Sequence, residues 1–294
     1  MRIFQVDAFT RTRFTGNPAT VVLDADGCDD ETLASIAREF AHAEVAFVCA
    51  ATAHDHDVRV RFFNSRKEAP FVGHATIAAH TVLLALGRRS LGVCRQHSGT
   101  GIIEVRAEER EGPLIEFRQS LADMDAPLPL KTTLRVAEAL RLPATQLHET
   151  MPARIARKGS TRLLVPVADP RALDGVAPNF DTLIALGREL GTEGFFVFAL
   201  AHGIAQRATE SRMFCPALGI PEDPVSGNAH GMLAAYLWEI GQLDAGSTDF
   251  IGHQGRQMKR PGEVRVTLEL ERGSPSAVRI GGRAIIVSEG TLGL

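Results

Sequence analysis

The sequence has little cysteine, and its four cysteines do not form close pairs. Cys28, Cys49, Cys94 and Cys215 are widely separated in a chain of 294 residues. Their spacing fits no metal-binding motif and suits a reducing compartment, so we expect them to be packing residues rather than disulfides or metal ligands. The chain also lacks a glycine-rich dinucleotide motif and a P-loop, so it indicates no nucleotide cofactor.

Charge of one sign and long apolar runs are missing as well. The net charge is −3 and the pI is about 6.4, and the scattered lysines and arginines form no basic stripe for nucleic acid. No apolar run approaches the length of a membrane span, and residues 1–7 are typical of a strand rather than a signal peptide. We therefore expect a cytoplasmic protein that binds neither nucleic acid nor a membrane.

What the chain does contain is an internal repeat. The segment that begins Glu68-Ala69-Pro70 and reaches Gly73 recurs 154 residues later as the segment from Glu222 to Gly227. Each copy leads into an apolar segment that ends on a glycine, Gly87 or Gly241. A repeat at about half the chain length indicates two versions of one fold, facing each other, with chemistry that differs between the halves.

The pattern of apolar residues predicts the fold class. Short strand-like runs outnumber helical ones, and several alternate as Val58–Phe62 does, which is typical of strands with one buried face. The repeated segments 75–86 and 231–238 have almost no charge on any face, so both are predicted to be buried helices. Amphipathic helices are predicted at residues 29–40, 133–140 and 180–190.

Together these elements predict an α+β protein with two pseudo-symmetric domains. Each domain is expected to be a curved, mostly antiparallel sheet wrapped around a central buried helix. The predicted domains are residues 1–122 and 131–280, with the proline-bearing segment 123–131 as the junction. Residues 281–294 are predicted to form a terminal strand that packs back on the first domain.

Two glycines stand where the repeat leads into its apolar helices. Gly73 and Gly227 leave the backbone N–H groups of each helix start open to an anion, such as a small carboxylate. The alternative is that each glycine only permits a tight turn. The duplication favours the functional interpretation, because both helix starts would point into one cleft.

The copies differ beside these glycines: the first has His74, and the second has Asp223 and Asn228. A histidine at a helix N-terminus tends to stay neutral, so His74 is a candidate to exchange a proton near pH 7. Its alternative role is a capping or core hydrogen bond. Asp223 is otherwise a turn or capping residue, and its functional role requires a partner across the cleft.

Glu44 is the candidate partner, because it is a lone carboxylate at the start of the apolar run Val45–Val48. Low polarity there favours a proton-exchanging carboxylate. The alternative is a solvated residue at a strand end. A metal site at His54–Asp57 is disfavoured, since no third-ligand motif lies nearby.

Five motifs in order resemble one known family. They are Phe4–Phe9 with Gly16–Ala19, Ala43–Val48, Pro70–Thr76, Glu222–Gly227, and Gln254-Gly255 with Arg260-Pro261. Over nearly the whole chain the sequence resembles the phenazine-biosynthesis-type (PhzF-like) isomerases, relatives of diaminopimelate epimerase and proline racemase. The resemblance implies two diaminopimelate-epimerase-like domains, an active site in the cleft between them, no cofactor or metal, and a homodimer.

The same resemblance implies roles for individual residues. Glu44 becomes the principal acid/base, with His74 and Asp223 near the reacting atoms. The loop at Gly227 and Asn228 is implied to lie near a substrate carboxylate, and we expect Gly73 and Ser226 to contact the substrate as well. Val72 and Ser226 stand where the epimerase and racemase relatives carry cysteine bases, so a two-thiol racemisation is disfavoured.

Two departures from the family pattern concern groups near the substrate: Asn228 and Ala43 stand where serine is more usual. The founding reaction of the family on a ring acid is therefore not carried over. We expect a cofactor-independent isomerase that moves a proton between carbons of a small carboxylate. The alternatives are a single-carbon epimerase of an amino-acid-like substrate, with Glu44 and Asp223 as the two bases, and a ligand-binding relative without chemistry.

Overall fold

A computed structural model of the chain describes residues 1–40, 44–65, 67–201 and 207–293. The chain folds into two compact units: unit 1 comprises Met1–Gln119 with Gly281–Leu294, and unit 2 comprises Ser120–Ile280. Within the described ranges, no helix is both long and apolar enough to cross a membrane.

Unit 1 combines a mixed sheet with two helices. Its strands are β1 (Arg2–Ala8), β2 (Asn17–Leu23), β3 (Val45–Cys49), β4 (Val58–Phe63), β5 (Glu68–Ala69), β6 (Gly92–Ser98), β7 (Gly101–Glu109), β8 (Pro113–Gln119) and β18 (Ala284–Thr291). Its helices are α1 (Asp30–Glu39) and α2 (Gly73–Ala85). The strand order is β18-β1-β2-β3-β4-β6-β7-β8, with β5 paired to β4. Only the pairs β2–β3 and β4–β6 in this order are parallel.

Unit 2 repeats the strand arrangement of unit 1. Its strands are β9 (Asp123–Met124), β10 (Arg154–Arg157), β11 (Thr161–Pro166), β12 (Gly194–Ala201), β13 (Ala208–Cys215), β14 (Ile220–Asp223), β15 (Asp249–Gln254), β16 (Gly262–Glu271) and β17 (Ser274–Gly282). Its helices are α3 (Leu130–Ala139), α4 (Phe180–Leu190) and α5 (Gly227–Glu239), with 3-10 turns at Ala144–Gln146, Pro170–Gly175, Pro216–Leu218 and Arg256–Met258.

The two units repeat one topology. In unit 2 the order is β9-β10-β11-β12-β13-β15-β16, with β14 paired to β13 and with parallel pairs β11–β12 and β13–β15. The succession from β10 to β16 therefore matches the succession from β1 to β7, pair by pair. The prediction of an α+β protein built from two versions of one fold, each with a mostly antiparallel sheet, is confirmed.

The central strand of each unit is buried on both faces. In β3, Ala46 and Val48 pack with α2, while Phe47 and Cys49 pack with α1 on the opposite face. Successive side chains of a strand point to opposite faces, so a helix on each side makes every residue of this strand apolar. The run Val45–Cys49 is apolar for this reason, and Glu44 is the residue that directly precedes it.

The repeated helices are buried as predicted, but they begin earlier than predicted. Helix α2 starts at Gly73 rather than at residue 75, and α5 starts at Gly227 rather than at residue 231. Glycine and asparagine have low helix propensity, which made these first turns look like loops. A Cβ on Gly73 would lie 2.9 Å from Cζ of Phe117, so packing favours glycine at this position in spite of its low helix propensity.

The segment 123–131 is bonded into unit 2 rather than running freely between the units. Met124 pairs with Ala156 of β10, and the N–H of Leu128 donates to the carbonyl of Ala153 at 2.9 Å. Helix α3 begins within this segment, at Leu130 after Pro129. Strand β18, the last of the chain, pairs antiparallel with β1 in unit 1.

Candidate active site

In unit 1, two of the sequence-predicted residues lie close together. Glu44 directly precedes β3, and His74 is the second residue of α2. Oε2 of Glu44 lies 3.7 Å from Nε2 of His74, and the two side chains are 20% and 11% exposed. Two proton-exchanging groups with complementary charge preferences thus share one partly desolvated position.

The start of α2 forms the backbone side of this position. Val72 occupies the N-cap and provides no side-chain cap. Intrahelical hydrogen bonding begins at the N–H of Thr76, which donates to the carbonyl of Val72 at 2.9 Å. The first N–H groups of a helix lack intrahelical acceptors, and the helix dipole makes this end favourable for an anion. Gly73, predicted to contact substrate, lies at this end.

The start of α5 in unit 2 differs from that of α2, because its N-cap residue provides a side-chain acceptor. Ser226 is the N-cap, and its Oγ accepts from the N–H of Ala229 at 3.3 Å. The carbonyl of Ser226 accepts from Nδ1 of His230 at 2.7 Å. The Ser226 hydroxyl, which stands where relatives carry a cysteine base, is therefore engaged in capping the helix.

Asp223 is the last residue of β14, and a buried glutamine joins it to the helix start. Nε2 of Gln254 donates to the carbonyl of Asp223 at 2.6 Å, and Oε1 of Gln254 accepts from the N–H of Ser226 at 3.0 Å. One amide thus fixes the backbone on both sides of Pro224. In the sequence, Gln254 was marked only as part of the motif Gln254-Gly255, and no local signal indicated this bridge.

A glycine holds the same loop from the other side. Gly255 has φ +89°, and a Cβ there would lie 2.3 Å from the carbonyl oxygen of Arg260 and 2.7 Å from that of Pro224. Unit 1 has the corresponding contact, since a Cβ on Gly99 would lie 2.7 Å from Cα of Pro70. In both copies a glycine that follows the strand after the buried helix therefore packs against the proline of the repeat.

Asn228, the departure from the usual serine, is turned toward a loop of its own unit. Its Nδ2 donates to Oγ of Ser160 at 3.0 Å. Ser160 lies in the turn between β10 and β11. The asparagine therefore connects the first turn of α5 to this hairpin. The other departure, Ala43, lies outside the described residues.

Two buried histidines behind the helix starts are neutral. Burial lowers the pKa of His80 to about 3, with a further contribution from the nearby guanidinium of Arg89. Burial likewise lowers the pKa of His230 to about 4, against the opposing effect of the hydrogen bond to Ser226. Their neutral rings serve as hydrogen-bonding core groups, with His80 beside Gln96 and His230 bonded to the carbonyl of Ser226.

The segment His54–Asp57, which resembled a metal cluster, makes local hydrogen bonds. Nδ1 of His56 lies 2.6 Å from Oδ1 of Asp55, and Nε2 accepts from the N–H of Thr52 at 3.0 Å. In the part of the chain that the structure describes, no three His, Cys, Asp or Glu side chains are arranged to hold a metal ion. The cysteines, all described, are free thiols.

The structure thus groups the predicted residues by unit. Glu44, Gly73 and His74 are neighbours at the start of α2 in unit 1. Asp223, Ser226, Gly227 and Asn228 are neighbours at the start of α5 in unit 2. Each group sits at the same place in the repeated topology.

Comparison with known proteins identifies the family. A family model described as "Phenazine biosynthesis-like protein" matches residues 6–290. "Uncharacterized isomerase YddE" from Escherichia coli K12 is 35% identical over 292 residues, covering 97% of this chain and 96% of the relative.

Two solved structures are similar in fold. A phenazine biosynthesis protein of the PhzF family from Bacillus anthracis has a TM-score of 0.89 at 24% identity, covering 100% of this chain and 99% of that one. A hydroxyproline epimerase from Agrobacterium vitis has a TM-score of 0.63 at 15% identity, covering 99% and 91%. These likenesses place the chain in the fold shared by proline racemase and diaminopimelate epimerase.

The match to the family model covers almost the full length, and the curated relative at 35% identity is an isomerase. The chain therefore belongs to the phenazine biosynthesis-like (PhzF) family and is an isomerase.

Proposed function

We propose that this isomerase moves a proton between two carbons of a small carboxylate metabolite without a cofactor. Glu44 is the general acid/base of this proposal. The observation that carries it is the 3.7 Å approach of Oε2 of Glu44 to Nε2 of His74 at the start of α2. A carboxylate and an imidazole at this separation can each reach an atom of one bound substrate.

The proposed reaction balances without an oxidant or a reductant. Glu44 accepts a proton from a carbon of the substrate, and the electron pair of the broken C–H bond moves into an adjacent unsaturated system. The protonated Glu44 then delivers the proton to another carbon of that system. Glu44 and the substrate therefore end with the same atoms and charges, and the substrate differs only in the position of one hydrogen and of the double bond.

His74 has a distinct role in this scheme. Its ring lies at a helix start, where the positive end of the dipole opposes a second positive charge. A neutral imidazole can donate a hydrogen bond to an oxygen that gains charge when Glu44 removes the proton. Asp223 is proposed to complete the set as the group that holds or protonates the substrate from the start of α5.

The substrate carboxylate is proposed to bind the N–H groups at the start of α2. Val72 offers no side-chain oxygen that would compete for these donors, whereas Ser226 already accepts from Ala229 at the start of α5. The two helix starts are therefore inequivalent as anion sites. Gly227 and Asn228 are proposed to contact the remainder of the substrate.

Deuterium uptake tests the proposal directly. The protein is incubated in heavy water with pooled small carboxylate metabolites that thermal shift has shown to bind. Mass spectrometry then follows deuterium incorporation and conversion of each compound. We expect one carboxylate to gain deuterium at carbon and to convert into a positional isomer.

Glu44→Gln is the decisive variant, because it keeps the shape of the side chain and removes its basicity. Exchange and conversion should be lost, while binding of the carboxylate is retained. Glu39→Gln, at the exposed end of α1, is the matched control and should retain full turnover. Full exchange by the Glu44→Gln protein would show that Glu44 is not the acid/base.

The product distinguishes isomerisation from its alternatives. A positional isomer supports proton transfer between carbons. Inversion at a single carbon, detected by chiral chromatography, would instead assign the chain an epimerase reaction. Tight binding of a carboxylate without any exchange would identify a binding protein.

A further inference from the structure

The glutamate that opens each copy of the repeat makes the same contact in both units. In unit 1, Nε and Nη2 of Arg61 on β4 donate to the two carboxylate oxygens of Glu68 at 2.9 and 2.7 Å. In unit 2, Nε and Nη2 of Arg212 on β13 donate to the two oxygens of Glu222, both at 2.9 Å. A bidentate pair fixes orientation as well as distance.

Each guanidinium is held on further sides. Arg61 stacks on Phe63 with its Cζ 4.9 Å from the ring centre, and Arg212 stacks on Phe214 at 5.0 Å. Both phenylalanines lie two residues further along the same strand as the arginine, so the stacking is a second duplicated contact.

The remaining donors differ between the copies. Nη2 of Arg61 also donates to Oδ1 of Asp30 at 2.7 Å. Nη1 of Arg212 donates to two backbone carbonyls, those of Leu173 at 3.0 Å and Val176 at 2.7 Å. The Arg212 side chain is 9% exposed and that of Glu222 is 16% exposed. The unit 2 pair is therefore the more deeply buried one, because Glu68 is 38% exposed.

These pairs lie immediately before the candidate catalytic groups. Glu222 and Asp223 are consecutive residues of β14, so the pair fixes the backbone that carries the Asp223 carboxylate. Glu68 begins β5, and the chain then passes through Pro70, which is in contact with Gly99, to His74. Each loop into a site helix is thus anchored at its glutamate and again at its proline.

We propose that Glu68 and Glu222 are positioning residues, which fix His74 and Asp223 through their pairs with Arg61 and Arg212. Both oxygens of each glutamate accept from a guanidinium, so neither carboxylate serves as an acid or base. The role of the pairs in turnover rests on the proposed function. Their effect on the geometry of the site can be measured without any substrate.

Ring signals of His74 in heteronuclear NMR spectra provide that measurement for unit 1. Glu68→Gln keeps one oxygen acceptor and removes the charge, and Arg61→Lys keeps the charge and removes the bidentate geometry. We expect both variants to shift the His74 ring signals and to leave those of His253, in unit 2, unchanged. Unchanged His74 signals in both variants would overturn the proposal for unit 1.

Backbone amide signals give the corresponding measurement for unit 2. Glu222→Gln and Arg212→Lys should move the amide signals of Asp223, Ser226 and Gly227 and leave the His74 ring signals in place. Arg135 and Glu189 form an equally bidentate but exposed pair on α3 and α4, at 2.6 and 2.7 Å. Glu189→Gln is therefore the matched control, and it should leave the signals of both helix starts unchanged.

The outcomes separate positioning from plain stability. A lower melting temperature with unchanged NMR signals at both helix starts would show that the pairs only stabilise the fold, and it would overturn the proposal. If the Glu222→Gln protein does not fold, the His74 ring signals of the Glu68→Gln protein, whose pair is more exposed, test the proposal instead. Once a substrate is known, the Glu68 and Glu222 variants should lower kcat about 10- to 100-fold with little change in KM. A site shift without any turnover in the natural protein would uphold positioning while rejecting the proposed reaction.

Discussion

Oε2 of Glu44, directly before the doubly covered strand β3, lies 3.7 Å from Nε2 of His74, the second residue of the buried helix α2. The separation is longer than a direct hydrogen bond. Side chains on both elements are confined by packing. The 3.7 Å separation of Glu44 and His74 therefore defines a geometry whose role in activity can be tested by substitution.

Replacing His74 should lower activity without unfolding the protein. His74→Gln removes the ring but retains a hydrogen-bonding side chain at a helix start. We expect turnover to fall about 10²- to 10⁴-fold, the usual contribution of general acid–base groups. The rate of deuterium incorporation measures the effect, and His54→Gln on an exposed turn is the control. Equal rates for the two variants would exclude His74 from the reaction.

Replacing Gln254 should destabilise unit 2 and impair its site. Gln254→Leu leaves the buried carbonyl of Asp223 and N–H of Ser226 without this partner, at a cost of about 1–3 kcal/mol for each group. Urea unfolding measures the loss. Gln257→Leu is the control, since Gln257 makes one exposed hydrogen bond, to Asp174. A similar loss in both variants would show that the Gln254 bridge contributes little.

Two glycines with positive φ should respond very differently to alanine. Gly241, with φ +71°, has no atom within 4 Å of an added Cβ, so Gly241→Ala should cost about 1–2 kcal/mol of backbone strain. Gly255→Ala adds a collision with two backbone carbonyls to similar strain. We expect a loss above about 4 kcal/mol in urea unfolding, or no folded protein. Equal losses would show that the loop at Pro224 can move aside.

Stability should fall as the pH is lowered, because of His80 and His230. Their native pKa values of about 3 and about 4 lie below the ordinary value of 6.5. Below pH 6.5 the unfolded chain therefore binds protons that the native state does not, and stability declines until the native pKa values are reached. Each histidine contributes on the order of 3 kcal/mol to this decline.

Unfolding by urea at pH 7 and pH 5 measures the slope of the free energy of unfolding against pH. His230→Gln should flatten it, because one of the two titrations is removed, whereas His54→Gln should leave it unchanged. An identical slope in the His230→Gln protein would show that His230 is not buried in its neutral form. The test is independent of any substrate.

Some of the site could be predicted from the sequence because it is encoded locally. The repeat of Glu, Pro and Gly marked both helix starts, and the lone carboxylate before Val45 marked Glu44. What sequence reasoning missed are side chains whose role depends on distant partners. Gln254 was marked only as part of a family motif. Its side-chain amide makes hydrogen bonds with Asp223 and Ser226, which lie 31 and 28 positions earlier in the sequence.

Arg61 illustrates the same limit. It lies in the alternating run Val58–Phe62, which predicts one buried face, and the sequence analysis assigned no contact to Arg61 or to Arg212. The ion pairs to Glu68 and Glu222, together with stacking on Phe63 and Phe214, cover both arginines. Alternation indicates on which face of the sheet a side chain lies, but it does not indicate which residues pack over that face.

The sequence by itself determined the duplication, the fold class and the candidates for acid–base chemistry, because periodicity and residue type are local properties. The tertiary structure decided where the helices begin, which carboxylates are engaged, and which group faces which. Glycine is favoured at position 73 because a Cβ there would lie 2.9 Å from Cζ of Phe117, and Glu222 became a guanidinium partner because β14 pairs with β13. Both results depend on residues brought together by folding, which no local pattern records.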